Sequence, residues 1–502
     1  MFNRKHGLPD SNLMGCGCAA EREKEEGRSE PKAKASPDTA PPQQFTKSRE
    51  QPTPQLGLVA GSAVTPMAGR FEERYRVISQ MKPWKGNSVV VAEYVTTRKP
   101  CIIVTFPKRG LHKQETKNKI QAFEAMMKFD HPHIRKIYEV VRGNNEIHLV
   151  VEQTDAELVD YMHEKSKMKG DIAGKVAAQL LSVMCYVHSL GEVHGRLRPD
   201  CIGFQTVPET EVNVKVSAFF SNEWTKNEEL SIFEAPEVRS QHITPASDIW
   251  SCGVLLYYVL IGKLPYKTVD EVGRAKLAFE RCVSPEAVIL IKAMLMSRPE
   301  DRPDASSCLA SPWIRSYTRN SLKSREVHQH LRNLCAQVDV NSLRKAVWYF
   351  IVDRIVPQGE IAQVAKTFVT LDTNADGLLS KEELLTGLRV YMTETAAQTE
   401  VERILASACS TDVVDYSAFV VAALGCKVLL SDENLKAAFR SLDADDSGRI
   451  SLNELKKVFR VETGDRDEAV WRGLLEQVDT SGDGEIDEKE FRNLMRLTAE
   501  QP

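Results

Sequence analysis

Residues 372–383 read Asp372-Thr373-Asn374-Ala375-Asp376-Gly377-Leu378-Leu379-Ser380-Lys381-Glu382-Glu383. The stretch sets oxygen-bearing side chains at positions 1, 3, 5, 9 and 12 and glycine at position 6, the spacing with which a loop wraps a hard divalent cation. Position 7 supplies only its backbone carbonyl, so Leu378 serves there as well as any residue, and Glu383 at position 12 can grip an ion with both oxygens. Leu379 at position 8 is aliphatic and suits a short strand pairing with a neighbouring loop.

The same window recurs twice. Asp443, Asp445, Ser447, Gly448, Arg449, Ser451 and Glu454 form one copy; Asp479, Ser481, Asp483, Gly484, Glu485, Asp487 and Glu490 form the other, with Ile450 and Ile486 at position 8. Three matches at a shared period, each between amphipathic helices, argue against chance acidic turns and for EF-hand loops. A spacing of about 36 residues leaves room for another loop at 407–418. There the ligand positions read Ser407, Cys409, Thr411 and Ala418, and Asp412 stands where glycine belongs, while the aliphatic Val414 and the following Phe419 remain. The expectation is four EF-hand units that hold about three Ca2+ ions, one pair half-loaded and the other fully loaded.

Upstream, the pattern changes. Residues 1–70 are rich in Pro, Gln, Ser, Glu and Lys with few large apolar groups, so the segment is expected to be disordered. From Tyr75 to about Leu158, short β-branched runs (Val89-Val90-Val91, Ile102-Ile103-Val104, Ile147 to Val151) predict strands. From Lys175 onward helical periodicity dominates, and Trp250 to Ile261 reads as a buried helix. A net charge of -4 over 502 residues argues against a general nucleic-acid binder. No apolar run reaches the roughly 18 residues needed to span a bilayer. Eleven scattered cysteines without a paired framework point to a reduced, cytoplasmic setting.

The segment upstream of the loops resembles a eukaryotic protein kinase, and the whole order from about Tyr75 to Met495 resembles the calcium-dependent protein kinases of plants and protists. The resemblance rests on Tyr186-Val187-His188, on His194-Gly195-Arg196-Leu197-Arg198-Pro199-Asp200, on Glu234-Ala235-Pro236-Glu237 and on Ser247-Asp248-Ile249-Trp250. It is supported by Pro299-Glu300-Asp301-Arg302-Pro303 and Pro312-Trp313-Ile314. It implies a multidomain chain with a disordered N-terminus (1–70) and an α+β bilobal kinase-like domain (75–315). A helical junction of autoinhibitory type (316–356) and an all-α, calmodulin-like EF-hand domain (357–498) would follow. It also implies a buried Glu237–Arg302 ion pair and an Asp248 that braces the catalytic loop.

The positions that carry the family's chemistry depart from its pattern. Only Gly86 remains of the glycine-rich loop; Val104 stands at the phosphate-holding Lys and Ala122 at its partner Glu, with Gln121 and Glu124 nearby. Arg196 replaces the catalytic base, Arg198 the catalytic-loop Lys, Cys201 the metal-binding Asn and Ala218 the metal-binding Asp. Arginine accepts no proton, and neither Cys201 nor Ala218 offers Mg2+ an oxygen, so ATP with Mg2+ has little to hold it. Lys108 as a substitute Lys and Asp200 as a displaced base are the counter-readings. The predicted function is a calcium sensor and scaffold with a degenerate kinase domain; the alternative is an atypical calcium-stimulated Ser/Thr kinase.

Between the two regions Ser324 to Ile355 reads as helix. Val327, Leu331, Leu334 and Val338 fall on one face, as do Leu343, Val347, Phe350 and Ile351, and Arg325, Arg332, Arg344 and Lys345 add positive charge. In the resembled family such a junction blocks the kinase cleft at low calcium and is then captured by the EF-hand lobes; with no active site to uncover here, the expected output is a surface for a protein partner whose identity the sequence does not give. Met14-Gly15-Cys16-Gly17-Cys18 resembles an acylation signal, with myristate on Gly15 and palmitate on Cys16 and Cys18. That requires translation to start at Met14, and Cys18, Ala19 and Ala20 fill the stretch where Ser or Thr is expected. Peripheral membrane attachment hangs on that condition.

Overall fold

A computed structural model describes residues 71–83, 87–110, 112–205, 212–217, 230–240, 242–268, 271, 277–318, 322–336, 342–407, 412–459 and 478–496. The N-terminal 70 residues with Gly15, Cys16 and Cys18, as well as Gly86, Ala218, Val338, Cys409 and Thr411, lie outside them.

A short helix α1 (Phe71–Arg74) leads into β1 (Tyr75–Gln80), β2 (Ser88–Tyr94), β3 (Pro100–Pro107), β4 (Ile137–Arg142) and β5 (Glu146–Glu152). They form one antiparallel sheet in the order β1-β2-β3-β5-β4. The three predicted runs lie in β2, β3 and β5, where branched side chains fill the two faces of the sheet. Helix α2 (Lys113–Met126) packs Ile120, Phe123 and Met126 into the same core. The sequence boundary at Tyr75 is four residues late. Arg74 is buried and its guanidinium donates to both oxygens of Glu139 at 2.7 and 2.9 Å, so α1 belongs to the lobe.

The larger lobe contains α3 (Leu158–Lys165), α4 (Gly170–Ser189), α5 (Pro245–Ile261), α6 (Pro285–Met294), α7 (Ala305–Leu309) and α8 (Pro312–Arg315). Helix α5, the predicted buried helix, is flanked by the cap residues Thr244 and Gly262, with Pro245 in its first turn. Gly262 adopts φ +76°, and a Cβ there would meet the Ser166 carbonyl oxygen at 2.4 Å, so two constraints require glycine. This lobe is not wholly helical as its periodicity suggested. β6 (Ala156–Glu157), β7 (Ile202–Gln205) and β8 (Asn213–Val216) form a small sheet whose strands, of two to four residues, are too short to give a period-2 signal.

The junction contains two helices, α9 (Arg325–Ala336) and α10 (Ser342–Arg354), where the sequence suggested one. Then come α11 (Gln358–Leu371), α12 (Lys381–Leu388), α13 (Glu394–Ser407), α14 (Tyr416–Leu429), α15 (Asp432–Leu442), α16 (Leu452–Phe459) and α17 (Glu488–Arg496). Two-stranded ribbons join the loops in pairs: β9 (Leu378–Ser380) with β10 (Val413–Asp415), and β11 (Arg449–Ser451) with β12 (Glu485–Asp487). The position-8 residues are the central partners, Leu379 opposite Val414 and Ile450 opposite Ile486, as the spacing predicted. Val327, Leu331 and Leu334 of α9 and Val347, Phe350 and Ile351 of α10 are buried in one core with the EF-hand helices. Among the described residues no helix is long and apolar enough to cross a membrane.

Candidate functional sites: an ion-binding region and a kinase cleft

Each calcium-loop candidate is built on its position-12 glutamate. Glu383 Oε1 accepts from Thr373 N at 2.8 Å and Thr373 Oγ1 at 3.0 Å, and its Oε2 accepts from Ser380 N at 3.0 Å and Ser380 Oγ at 2.8 Å. Glu454 does the same with Ala444 N (2.7 Å) and Ser451 N (2.8 Å), and Glu490 with Thr480 N (2.9 Å) and Asp487 N (3.0 Å). One carboxylate thereby ties the entry of each loop to its exit. The position-1 aspartates turn the apex: Asp372 accepts from Gly377 N at 3.0 Å, Asp443 from Gly448 N at 2.8 Å and Asp479 from Gly484 N at 2.7 Å. Those glycines have φ of +77°, +79° and +83°, the left-handed turn that position 6 demands.

The donor chemistry fits a cation. Single oxygens of Asp443, Asp445 and Glu454 lie within 4.8 Å of one another. Asp372 is buried and its Oδ1 has no hydrogen-bond partner among the described residues, which is costly for a carboxylate unless a cation completes it. Burial pushes the Asp372 carboxyl up to about 7, with the Glu383 and Asp376 charges adding to the shift and the Gly377 N–H opposing it. Burial also opposes ionisation of Glu383, but the Ser380 and Thr373 donors hold its carboxyl below the ordinary range. Asn374 and Asp376 line the first loop; Ser447 lines the second; Ser481 and Asp483 line the third. Leu378, Arg449 and Glu485 occupy position 7 at the starts of β9, β11 and β12, and EF-hand loops of this kind hold Ca2+.

The sequence missed one feature here. The Arg449 side chain crosses to the neighbouring loop, where its guanidinium contacts the Asp483 carboxylate and lies 3.9 Å from Glu485. The antiparallel register puts Arg449 directly opposite Asp487, which could have been read from the spacing of the two loops.

The frame that the kinase resemblance implies is present. Arg302 donates to Glu237 at 2.6 and 2.9 Å, and its guanidinium lies 4.9 Å from the Trp250 ring centroid. Asp248 accepts from His194 N at 2.8 Å and Gly195 N at 2.7 Å, fixing the start of the catalytic loop. Four of the departed positions lie among the described residues: Val104, Ala122, Arg196 and Cys201. Val104 is buried in β3 between Val89 of β2 and Leu149 of β5. Ala122 is half-buried on α2, where Gln121 is exposed and Glu124 is drawn to Arg142 at 2.5 Å.

Arg196 and Cys201 share one turn, with the Cys201 thiol 3.7 Å from the Arg196 carbonyl oxygen. Both counter-readings have other partners. Lys108 Nζ donates to Gly143 O at 2.5 Å, in the turn between β4 and β5, and Asp200 pairs with the buried Arg198 at 3.3 Å.

Comparison with known proteins agrees with this division. The protein kinase domain family matches residues 85–314, the EF-hand domain pair matches 432–496, and the EF hand matches 364–388. The chain is similar to Calcium-dependent protein kinase 4 of Plasmodium berghei (strain Anka) and of Plasmodium falciparum (isolate 3D7). Each is 28% identical over 459 residues, covering 85% of this chain and 87% of the relative. It is also 28% identical over 389 residues to Calcium-dependent protein kinase 10 of Arabidopsis thaliana, covering 73% of this chain and 70% of that one.

Proposed function

Given that this chain joins a protein kinase domain to EF-hands and is homologous to the calcium-dependent protein kinases, we propose that it acts as a calcium-responsive scaffold. In this reading the kinase lobes bind a protein partner without transferring phosphate. Arg196 is the observation that carries the reading. It stands in a catalytic loop whose backbone is still braced by Asp248, so the position is in place and its chemistry is not. An arginine cannot take a proton from a substrate hydroxyl. Val104 offers no charge to a phosphate, and Cys201 gives a thiol where Mg2+ needs oxygen. Catalytic groups that act as a unit do not lose activity additively, so these departures reinforce one another.

Calcium enters through Asp372, Asn374, Asp376, Leu378 and Glu383, through Asp443, Asp445, Ser447, Arg449 and Glu454, and through Asp479, Ser481, Asp483, Glu485 and Glu490. The junction supports a switch. Helix α9 is packed in the first EF-hand pair, where Asn333 Nδ2 donates to Ala423 O at 2.6 Å. Loaded EF-hand pairs open an apolar groove of this sort for an amphipathic helix. A cytoplasmic location, with membrane attachment only if Gly15 becomes N-terminal, completes the proposal.

A thermal shift with ATP tests the reading. A ligand at 100 times its Kd adds about 2.7 kcal/mol of stability, which is readily seen. The proposal expects no Mg2+-dependent shift and no calcium-stimulated phosphate transfer to a generic peptide. Either one, appearing in the wild-type chain, would favour the active-kinase reading that the relatives' names and the intact Glu237–Arg302 pair support.

A further inference from the structure

The loop at 407–418 departs from the calcium-ligand pattern, yet its Ser417 makes a two-point contact with the kinase lobes. Ser417 donates twice to one carboxylate, from its backbone N to Asp130 Oδ2 at 2.8 Å and from its Oγ to Asp130 Oδ1 at 2.7 Å. Ser417 is the second residue of α14, so its N–H belongs to the set that a helix leaves without an internal partner. Asp415 satisfies the next such group, Ala418 N, at 2.7 Å, and a carboxylate of the kinase domain satisfies Ser417.

The other loops provide an internal comparison. Ser417 is at position 11. Its counterparts Glu382, Asn453 and Lys489 are all exposed, whereas Ser417 is buried. A glutamate at this place, as in the first loop, would set a negative charge against Asp130.

Asp130 also forms one surface with Tyr186 of α4. Its N–H donates to the Tyr186 hydroxyl at 2.9 Å, and the Tyr186 ring covers the apex of the loop at 372–383. A Cβ added to Gly377 would meet Tyr186 Cδ2 at 2.3 Å, so the loop fits only because its turn residue has no side chain. The paired loops, joined through Leu379 and Val414, thus rest together on two kinase side chains.

We infer that Asp130 and Tyr186 form a docking site for the first loop pair, and that the ion-free loop couples calcium at 372–383 to the kinase lobes through Ser417. The inference rests on the calcium reading of the 372–383 loop. It assigns the fourth loop a role that needs no ion: β9 and β10 share a ribbon, so an ion that orders the first loop also fixes the strand leading into Ser417. Coupling between two sites is reciprocal, so loosening the dock must weaken calcium binding by the same factor with which calcium strengthens the dock.

The test uses the full chain with Asp130→Ala, Ser417→Ala and the double variant, and with Asn453→Ala as the position-11 control. Calcium is titrated by calorimetry, and amide exchange is followed at residues 128–134 and 413–420 at saturating calcium. Each single variant should weaken one of three ions by roughly fivefold or more and raise exchange in both segments; the double should weaken it no further. Asn453→Ala should change neither. Wild-type affinity and exchange in both single variants, or a double variant equal to the sum of the singles, would overturn the inference. A wild-type chain that binds no ion at 372–383 would instead defeat the underlying calcium reading, and the ion count separates that result from the others.

Discussion

The loop at 443–454 and the catalytic loop that begins at His194 are held by the same device. In one, Glu454 accepts backbone N–H groups of Ala444 and Ser451 at 2.7 and 2.8 Å; in the other, Asp248 accepts those of His194 and Gly195 at 2.8 and 2.7 Å. Both carboxylates are buried and both fix a turn. The two turns differ in what they present. The first presents Asp443 and Asp445, whereas the second presents Arg196 and Cys201. Bracing a loop and furnishing it with chemistry are therefore separate requirements, and a kinase frame can keep the first while its side chains change the second.

Removing a brace gives the largest expected effect. Asp248→Ala leaves one buried and one half-buried backbone donor, and His188, without their acceptor. At roughly 1–3 kcal/mol for each unsatisfied buried donor, the kinase region should lose about 3–5 kcal/mol in denaturant unfolding. Calorimetry should still count three calcium ions on that variant. A loss of ions would mean that the two regions are not independently braced.

The second break falls on the other side of the comparison. Glu454 braces its loop and is the proposed bidentate ligand, so Glu454→Gln should preserve the loop's N–H contacts in part but remove one ion from the titration. Losing an outer-shell partner costs a metal site about 10–100-fold, so a direct bidentate ligand should cost more than about 100-fold. Glu383→Gln and Glu490→Gln should each remove one further ion. Arg196→Asp, by contrast, should restore no phosphate transfer on its own, because Val104 and Cys201 remain. Measurable transfer by that single variant would show that the cleft has departed less far from catalysis than its residues suggest.

What could be read from the sequence follows from how local each signal is. The loops at 372, 443 and 479 were legible because their acidic positions, glycine and strand residue all fall within twelve positions. The large lobe was legible because its motifs carry both the brace and the altered residues side by side. The junction helices were half legible: the apolar faces were right, but α9 and α10 are separate helices.

Contacts between distant segments left no local trace. Nothing about Ser417, an ordinary residue for the first turn of a helix, indicates that Asp130 will accept from it across 287 positions. Lys108 and Asp200 are the counter-readings, and only the fold shows that Gly143 and Arg198 hold them.

The two loop pairs offer a finer version of the comparison. Position 7 is Leu378 in one pair and Arg449 in the other, and the arginine faces Asp483, Glu485 and Asp487 of the adjacent loop. A resident cation beside a calcium site opposes a divalent ion, although solvent screens the effect at an exposed position. Arg449→Gln should therefore tighten the 479–490 site by about two- to fivefold, with the gain shrinking as salt is raised. Ion-specific titration on a Glu454→Gln background would isolate that site, and an unchanged or weaker affinity would remove Arg449 from consideration.

The smallest effect concerns a carboxylate that neither binds an ion nor braces a loop backbone from afar. Burial raises Asp415 from 3.8 to about 6, the neighbouring Asp130 adds to the rise, and the Ala418 N–H and Lys136 oppose it. Lys136 is itself paired with Asp353 at 2.6 Å. An acid whose pKa is higher in the folded chain binds its proton more tightly there, so its contribution is full below about pH 4 and is lost as pH rises through about 6. Asn caps a helix as well as Asp does and cannot ionise, so Asp415→Asn should keep α14 intact. With calcium chelated, the stability difference between Asp415→Asn and the wild type should grow in favour of the variant between about pH 4 and 6 and then level off. A difference that stays constant over that range would mean that Asp415 ionises freely and that Asp130 does not sense its charge.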